Sequence, residues 1–401
     1  MSIIQKAYCR AFQLVFNYGA RCLKWRKPRV ERGPGRIRLI PDILAPEGAK
    51  KPLIVSGPNV LRMLLPPLLQ AMDAAGMHYE LFSQVESNPS SDTCEKIRDA
   101  YLAAGCDSII AVGGGSPMDA AKAAAALVAR PGKTVRKLSG LLKVGRSIPT
   151  FIAIPTTAGT GSETTIAAVI TDSETHRKAA IMDLHLIPKY AVLDPELTVG
   201  LPPHTTATTG MDALTHAVEA YLCWTYNTRE SYRLAEEAVC TIFKYLDRAY
   251  RDGQDLEARE KMLEASFKAG FAFTRAGVGN VHAIAHTLGG LYGTAHGLAN
   301  AVILPIVLED YGAKVYKKLA RLADLAGVGG RDQAEKAQNF IREIRAMNAR
   351  FGLPTGFDFI REEDLDTMIT WALKEANPVY PVPVIYDRVR CRRVILTVKN
   401  S

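Results

Sequence analysis

Between Lys51 and Asp194 short β-branched runs alternate with longer helical stretches, a rhythm that suits an α/β domain built on a mostly parallel sheet. Four runs read as strands: 53–55, 108–112, 151–154 and 190–193. Each is followed by turn or capping chemistry, namely Ser56-Gly57-Pro58-Asn59, three glycines, Pro155-Thr156-Thr157 and Asp194-Pro195. In an open α/β sheet ligands lie just outside the carboxyl ends of the strands, so these segments are where a cofactor is expected. After Leu201-Pro202-Pro203 the character changes: Ala, Glu, Lys, Leu and Arg recur at helical spacing, and no convincing strand follows. The fold class is therefore read as α/β plus all-α, with residues 1–200 forming the α/β domain and residues 201–401 a helical one. Asn377 to Pro383 is broken by prolines and reads as irregular.

With 401 residues and 48% apolar composition the chain is long enough to bury two cores. No apolar run approaches the roughly 20 residues that cross a bilayer, which points to a soluble protein. Seven scattered cysteines, odd in number and without a CxxC pair, argue against a disulfide framework or a thiolate metal site. A reducing cytoplasm is the expected compartment. The net charge of +9 raises the question of nucleic acid, but it is not evenly spread. Residues 1–51 carry twelve Lys and Arg against Glu31, Asp42 and Glu47, a net of +9, so the remainder sums to zero and no nucleic-acid partner is expected. The basic segment interleaves Tyr8, Phe12, Phe16, Tyr18 and Trp25, a composition suited to lipid, RNA, a partner or targeting. Lacking a long apolar core and a small-residue cleavage pattern, it reads as an N-terminal helix packed on the domain.

The run Gly113-Gly114-Gly115-Ser116-Pro117-Met118-Asp119 follows a strand and precedes the Ala-rich stretch 120–126, a good helix former. Glycines let backbone amides approach a pyrophosphate, and a helix amino terminus adds free N–H donors and partial positive charge. The run is not GxGxxG, and by itself a glycine triplet is equally an ordinary tight turn. A second loop, Pro155 to Glu163, offers hydroxyls after another strand, where Ser162 or Thr160 can equally cap a helix. Two such loops at strand ends point to nucleotide binding, hence to a Rossmann-like domain.

Five of the eight histidines fall after residue 200. Asp212 and His216 are four apart and share one helix face, as do His282 and His286. His296 lies fourteen residues beyond His282, about 21 Å away along a continuous helix. Gly289, Gly290 and Gly293 are expected to break that helix and turn the chain back, so that one ion can be shared. A carboxylate with imidazoles suits a divalent transition metal such as iron(II), zinc or manganese. Taken singly, each of these side chains is as well explained by a hydrogen bond on a helix or in the core.

The segments GGGSPMDAAK (113–122), IPTTAGTGSE (154–163), GMDALTHAVEAY (210–221) and HAIAHTLGGLYGTAHG (282–297) resemble the iron-containing (group III) alcohol dehydrogenase family, in order and spacing, over about Val55 to Pro383. The resemblance implies a dinucleotide-binding α/β domain, a helical metal-binding domain and an active site in the cleft between them, the architecture shared with dehydroquinate synthase. It implies metal ligands at Asp212, His216, His282 and His296 and a further active-site histidine at His286. It places cofactor contacts at Asn88, Gly114, Gly115, Ser116, Asp119, Thr156, Thr157, Thr160 and Lys178. Many members carry an aspartate after the first strand, where it would repel the 2′-phosphate of NADP; here the position is Gly57, so NAD or NADP is expected as cofactor.

The expected activity is hydride exchange between NAD(P)(H) and a small primary or secondary alcohol or aldehyde, with the substrate oxygen on iron(II) or zinc acting as a Lewis acid and His286 relaying a proton. A homodimer is expected. Two readings compete: a lyase of the dehydroquinate synthase kind, which needs Lys and Arg to hold a phosphorylated acid, and a catalytically silent, partner-binding relative docking through its basic N-terminal arm.

Overall fold

The computed structural model describes residues 1–174 and 178–401. They form two units: Lys24–Leu201 with Gly253–Phe267, and Met1–Leu23 with Pro202–Asp252 and Lys268–Ser401.

The first unit holds a six-stranded parallel sheet. Its strands are β1 (Arg29–Arg32), β2 (Pro52–Val55), β3 (Glu80–Phe82), β4 (Ser108–Gly113), β6 (Thr150–Pro155) and β9 (Tyr190–Leu193), in the order β1-β9-β6-β4-β2-β3. The four central strands match the four runs read from sequence. β1 and β3 are additional edge strands: β1 reads Arg-Val-Glu-Arg and β3 is three residues long, so neither has the apolar run of a core strand. The interior strands are buried on both faces. Leu53, Val55, Ile109, Ala111, Phe151 and Ala153 meet the helices Ser91–Ala104 and α2 (Gly115–Ala129). Ile54, Ile110, Val112, Ile152 and Ile154 face the short helices Ile40–Leu44 and Pro66–Ala74. This two-sided cover explains why the strands read as continuous apolar runs. A second sheet, β5 (Gly140–Leu141), β8 (Lys178–Met182) and β7 (Ala167–Thr171), has the order β5-β8-β7 with β7 antiparallel to β8. The sequence reading did not contain it, because its strands are short and rich in alanine.

The second unit is helical, and among the described residues every strand lies within 29–193. Its central helices are α3 (Pro203–Leu222), α4 (Asn280–Tyr292), α5 (His296–Tyr311) and α6 (Leu365–Ala376). α3 starts with proline at its first turn, a position without need of an N–H donor. Thr208, Thr209 and Thr215 return their hydroxyls to carbonyls four residues back, which lets a threonine-rich helix be buried.

The N-terminal helix α1 (Ile3–Arg21) belongs to this unit, although the sequence assigned residues 1–50 to the α/β domain. The reason is polar. Gln13, wholly buried, donates to the carbonyls of Pro378 and Tyr380 at 2.9 and 2.7 Å and accepts from Trp224 Nε1. Arg10 donates to Val382 O and Pro383 O. The irregular segment read at 377–383 is thus irregular and pinned by α1.

Candidate functional site

In the helical unit, α3 carries Asp212 and His216, α4 carries His282 and His286, and His296 opens α5. The chain reverses at Gly293, which closes α4 in the left-handed region at φ 67°. Gly289 and Gly290 were expected to help break the helix, but both stay helical. A Cβ on Gly290 would come within 3.3 Å of the Trp371 ring, so its small size serves packing. A different glycine brings His296 home. A Cβ on Gly297 would lie 2.4 Å from Thr208 O and 3.4 Å from Asp212 Cβ, so only glycine lets α5 meet α3 here.

One ligand atom from each of Asp212, His216, His282 and His296 lies within 4.8 Å of all the others. His296 Nε2 is 3.5 Å from Asp212 Oδ1 and His216 Nδ1 is 3.9 Å from Asp212 Oδ2. The His216 ring stacks on Phe273 with centroids 4.2 Å apart. His282 is buried, and burial followed by the neighbouring His216 and His296 rings holds its pKa well below the usual imidazole value, which favours the neutral ring.

The fit to a cation is visible in what the four surround. Asn300 Nδ2 donates to Asp212 Oδ1 at 2.7 Å and lies 3.2 Å from His282 Nε2 and 3.1 Å from His296 Nε2. An amide nitrogen has two hydrogens for these three acceptors. Asn300 Oδ1, also buried, has no hydrogen-bond partner among the described residues. A carboxylate oxygen and two ring nitrogens converging on one amide NH₂ group form a donor set that suits a divalent ion.

Sequence reasoning did not name the residues that aim this set. Glu219, buried on α3, accepts from Gly279 N and Val281 N at 2.8 Å and from His282 Nδ1 at 2.5 Å. Burial pushes its pKa up to about 7 while the two amides and His282 oppose the shift. With Nδ1 committed, His282 presents Nε2 to Asp212 and His296. The signal was available: Asp212, His216 and Glu219 follow i, i+4, i+7 on one face, and Asn300 stands four after His296. Glu375 on α6 gave no such signal. Its Oε1 receives both His286 Nδ1 and Tyr380 Oη at 2.7 Å, and His286 stacks on His296 with centroids 5.1 Å apart.

In the α/β unit the two glycine- and hydroxyl-rich loops pack on each other. Gly113 takes φ 149°, a turn that favours glycine, and α2 begins beyond it without a side-chain cap, leaving its first N–H groups to other acceptors. A Cβ on Gly114 would stand 3.3 Å from Thr157 Oγ1, and one on Gly115 3.0 Å from Thr160 Cγ2. Thr156 is buried and donates its N–H to Gly113 O. Ser116 donates to Ser87 O, and Lys178 Nζ donates to Asn88 Oδ1 at 2.8 Å. Asp119 accepts Ser162 Oγ at 2.7 Å on one oxygen and Val169 N at 3.0 Å on the other, so it braces the second loop. Lys122 does the same from below: its buried ammonium reaches Ser162, Thr165 and the Ala167 carbonyl, and burial lowers its pKa to about 8. In place of the alternative reading, an ordinary helix capped by Ser162 or Thr160, Ser162–Thr164 is a short 3₁₀ turn entered through Gly161 at φ 58°, with Thr160 Oγ1 accepting Ser162 N at 3.3 Å.

Two family models match, "Iron-containing alcohol dehydrogenase" over residues 27–195 and "Fe-containing alcohol dehydrogenase family, C-terminal" over 206–386. The chain belongs to the iron-containing alcohol dehydrogenase family. It is 36% identical over 348 residues to the NAD-dependent methanol dehydrogenase of Bacillus methanolicus, covering 86% of this chain and 91% of that protein. It is 34% identical to the NADPH-dependent butanol dehydrogenase of Clostridium saccharobutylicum, covering 83% and 85%. The alcohol dehydrogenase of Oenococcus oeni superposes with a TM-score of 0.90 at 32% identity, covering 94% of this chain and 100% of that one. This family member is accordingly a metal-dependent NAD(P)-linked oxidoreductase.

Proposed function

We propose that Asp212, His216, His282 and His296 hold iron(II) or zinc, and that the enzyme interconverts small primary or secondary alcohols and their carbonyl compounds. The convergence of four ligand atoms within 4.8 Å carries this reading. A metal at that position supplies Lewis-acid polarisation of a substrate oxygen, and NAD(P) supplies or accepts the hydride. The chain's own residues do the rest. Glu219 aims His282, and Glu375 fixes the tautomer of His286, leaving Nε2 to exchange a proton with the substrate hydroxyl or a water. Asn88, Gly114, Gly115, Ser116, Asp119, Thr156, Thr157, Thr160 and Lys178 form or brace the nucleotide site, with the uncapped start of α2 facing its phosphates.

NADP is accepted as well as NAD in this reading. Gly57 carries no carboxylate to repel a 2′-phosphate, and a Cβ there would meet only Val85 O at an ordinary 3.4 Å, so packing does not demand glycine. A reducing cytoplasm suits the seven free cysteines, and a twofold homodimer is the assembly proposed. No helix among the described residues is long and apolar enough to cross a membrane.

The deciding assay supplies the purified protein with iron(II) or zinc, NADH or NADPH and a panel of short aldehydes, and follows the near-ultraviolet absorbance of the reduced cofactor. Sustained loss with both cofactors is expected. Asp212→Ala and His282→Ala are each expected to lose bound metal by elemental analysis and turnover together; full activity in either variant overturns the assignment.

A further inference from the structure

The family match begins at residue 27, so α1 lies ahead of it, and α1 leaves a wide apolar arc outside. The inner face packs Cys9 against Val382 and Ile385 and Phe16 against Tyr226, and it is fixed by Gln13, Arg10 and Asn17, each hydrogen-bonded to the unit beneath. Outward point Ile3, Ile4, Tyr8, Leu14, Val15 and Tyr18, between 53 and 87% exposed. At 3.6 residues per turn these six fall in one arc of about 140°, with the exposed Ala7 and Ala11 inside it and Arg21 at its edge. An apolar arc of that width ordinarily faces a core, and a contiguous exposed patch marks an interaction surface. Rolling the helix over would break the bonds of Gln13 and Arg10, so the arc is held outward.

Charge selects what covers it. On α1 itself Lys6 and Arg21 are exposed, and the helix carries no acidic residue. A second copy laid on this arc would bring Lys6 and Arg21 against their own like charges, with no acid on the helix to offset them. An anionic lipid surface brings the opposite sign, accepts isoleucine, leucine and valine at the acyl boundary, and holds tyrosine rings at the level of the headgroups. We propose that α1 seats this enzyme on an anionic membrane surface as a peripheral protein, with the arc centred on Ala11 against the lipid.

The test pellets the metal-loaded, full-length enzyme with vesicles of phosphatidylcholine alone or containing about a third phosphatidylglycerol, at low and high salt. About tenfold greater binding to the anionic vesicles is expected, reduced by salt. The double variant Ile4→Gln/Val15→Gln is expected to fall to the level of neutral vesicles while keeping the parent's alcohol oxidation, circular dichroism and light-scattering mass. Parent protein that stays in the supernatant with anionic vesicles at low salt overturns the proposal. So does a variant that binds as well as the parent, which would place the attraction elsewhere, or one of lower mass, which would make the arc an interface between copies.

Discussion

Glu219 holds two backbone amides and one imidazole with two carboxylate oxygens, and it packs so closely on the backbone that a Cβ on Gly279 would lie 2.5 Å from Glu219 Oε1. Removing it leaves buried donors without an acceptor and lets His282 turn. Glu219→Ala is expected to cost about 2–4 kcal/mol in chemical denaturation and to weaken metal binding about 10- to 100-fold by competition with a chelator. Glu219→Gln keeps the volume but points an NH₂ at one set of donors, so it should also lose metal affinity with a smaller loss of stability. Unchanged metal affinity in both variants would reduce Glu219 to a packing role. At this scale the sequence was most informative where chemistry repeats at helical spacing. Asp212/His216 and His282/His286 stood out because they share the i, i+4 interval, whereas His296 in place of His286 as the fourth proposed ligand came from the family resemblance. Glu375 was not, because it meets His286 from another helix 89 residues away and no local pattern marks that meeting.

Elements meet where small residues permit it. Gly297→Ala would drive a methyl into Thr208 O and toward Asp212, with backbone on the far side and no flexible group to yield, so α5 must retreat from α3. A cost of about 1–3 kcal/mol is expected, together with reduced metal content as His296 withdraws. The smaller sheet offers a pH test. Asp183, after β8, accepts Val144 N, Gly145 N, His185 N and His185 Nδ1 at 2.7–3.0 Å, and although burial alone would raise its pKa, these donors hold it below the usual value. A depressed carboxyl stabilises the fold fully above its unfolded value of about 3.9 and loses that contribution as pH falls through the folded one. Asp183→Asn should therefore cost about 1–3 kcal/mol at neutral pH, with the gap to the parent narrowing below about pH 4 in urea titrations. A gap constant down to pH 3 would show that the charge is immaterial. This sheet was invisible in the sequence because β7 and β8 pair runs of alanine between short loops, whereas the central strands announce themselves through unbroken Ile, Val and Leu.

Across the whole chain, the longest reach belongs to α1. Read as sequence, residues 1–50 looked like an extension of the domain that follows them, since nothing local says that Gln13 will find partners 365 and 367 residues away. Its amide bridges Pro378 O, Tyr380 O, Trp224 Nε1 and Arg10 Nη1, and the segment it pins carries Tyr380, whose hydroxyl shares Glu375 Oε1 with His286. A residue near the start of the chain is thus three contacts from the proposed proton carrier. Gln13→Ala should cost about 1–3 kcal/mol, since two half-buried carbonyls lose their donor. Its particular signature is local. Hydrogen exchange should quicken over 377–383, and kcat should fall severalfold while bound metal stays at the parent level, because the proposed ligands sit on α3, α4 and α5 and not on that segment. If kcat is unaffected while exchange quickens, then α1 steadies the 377–383 segment without governing the placement of His286.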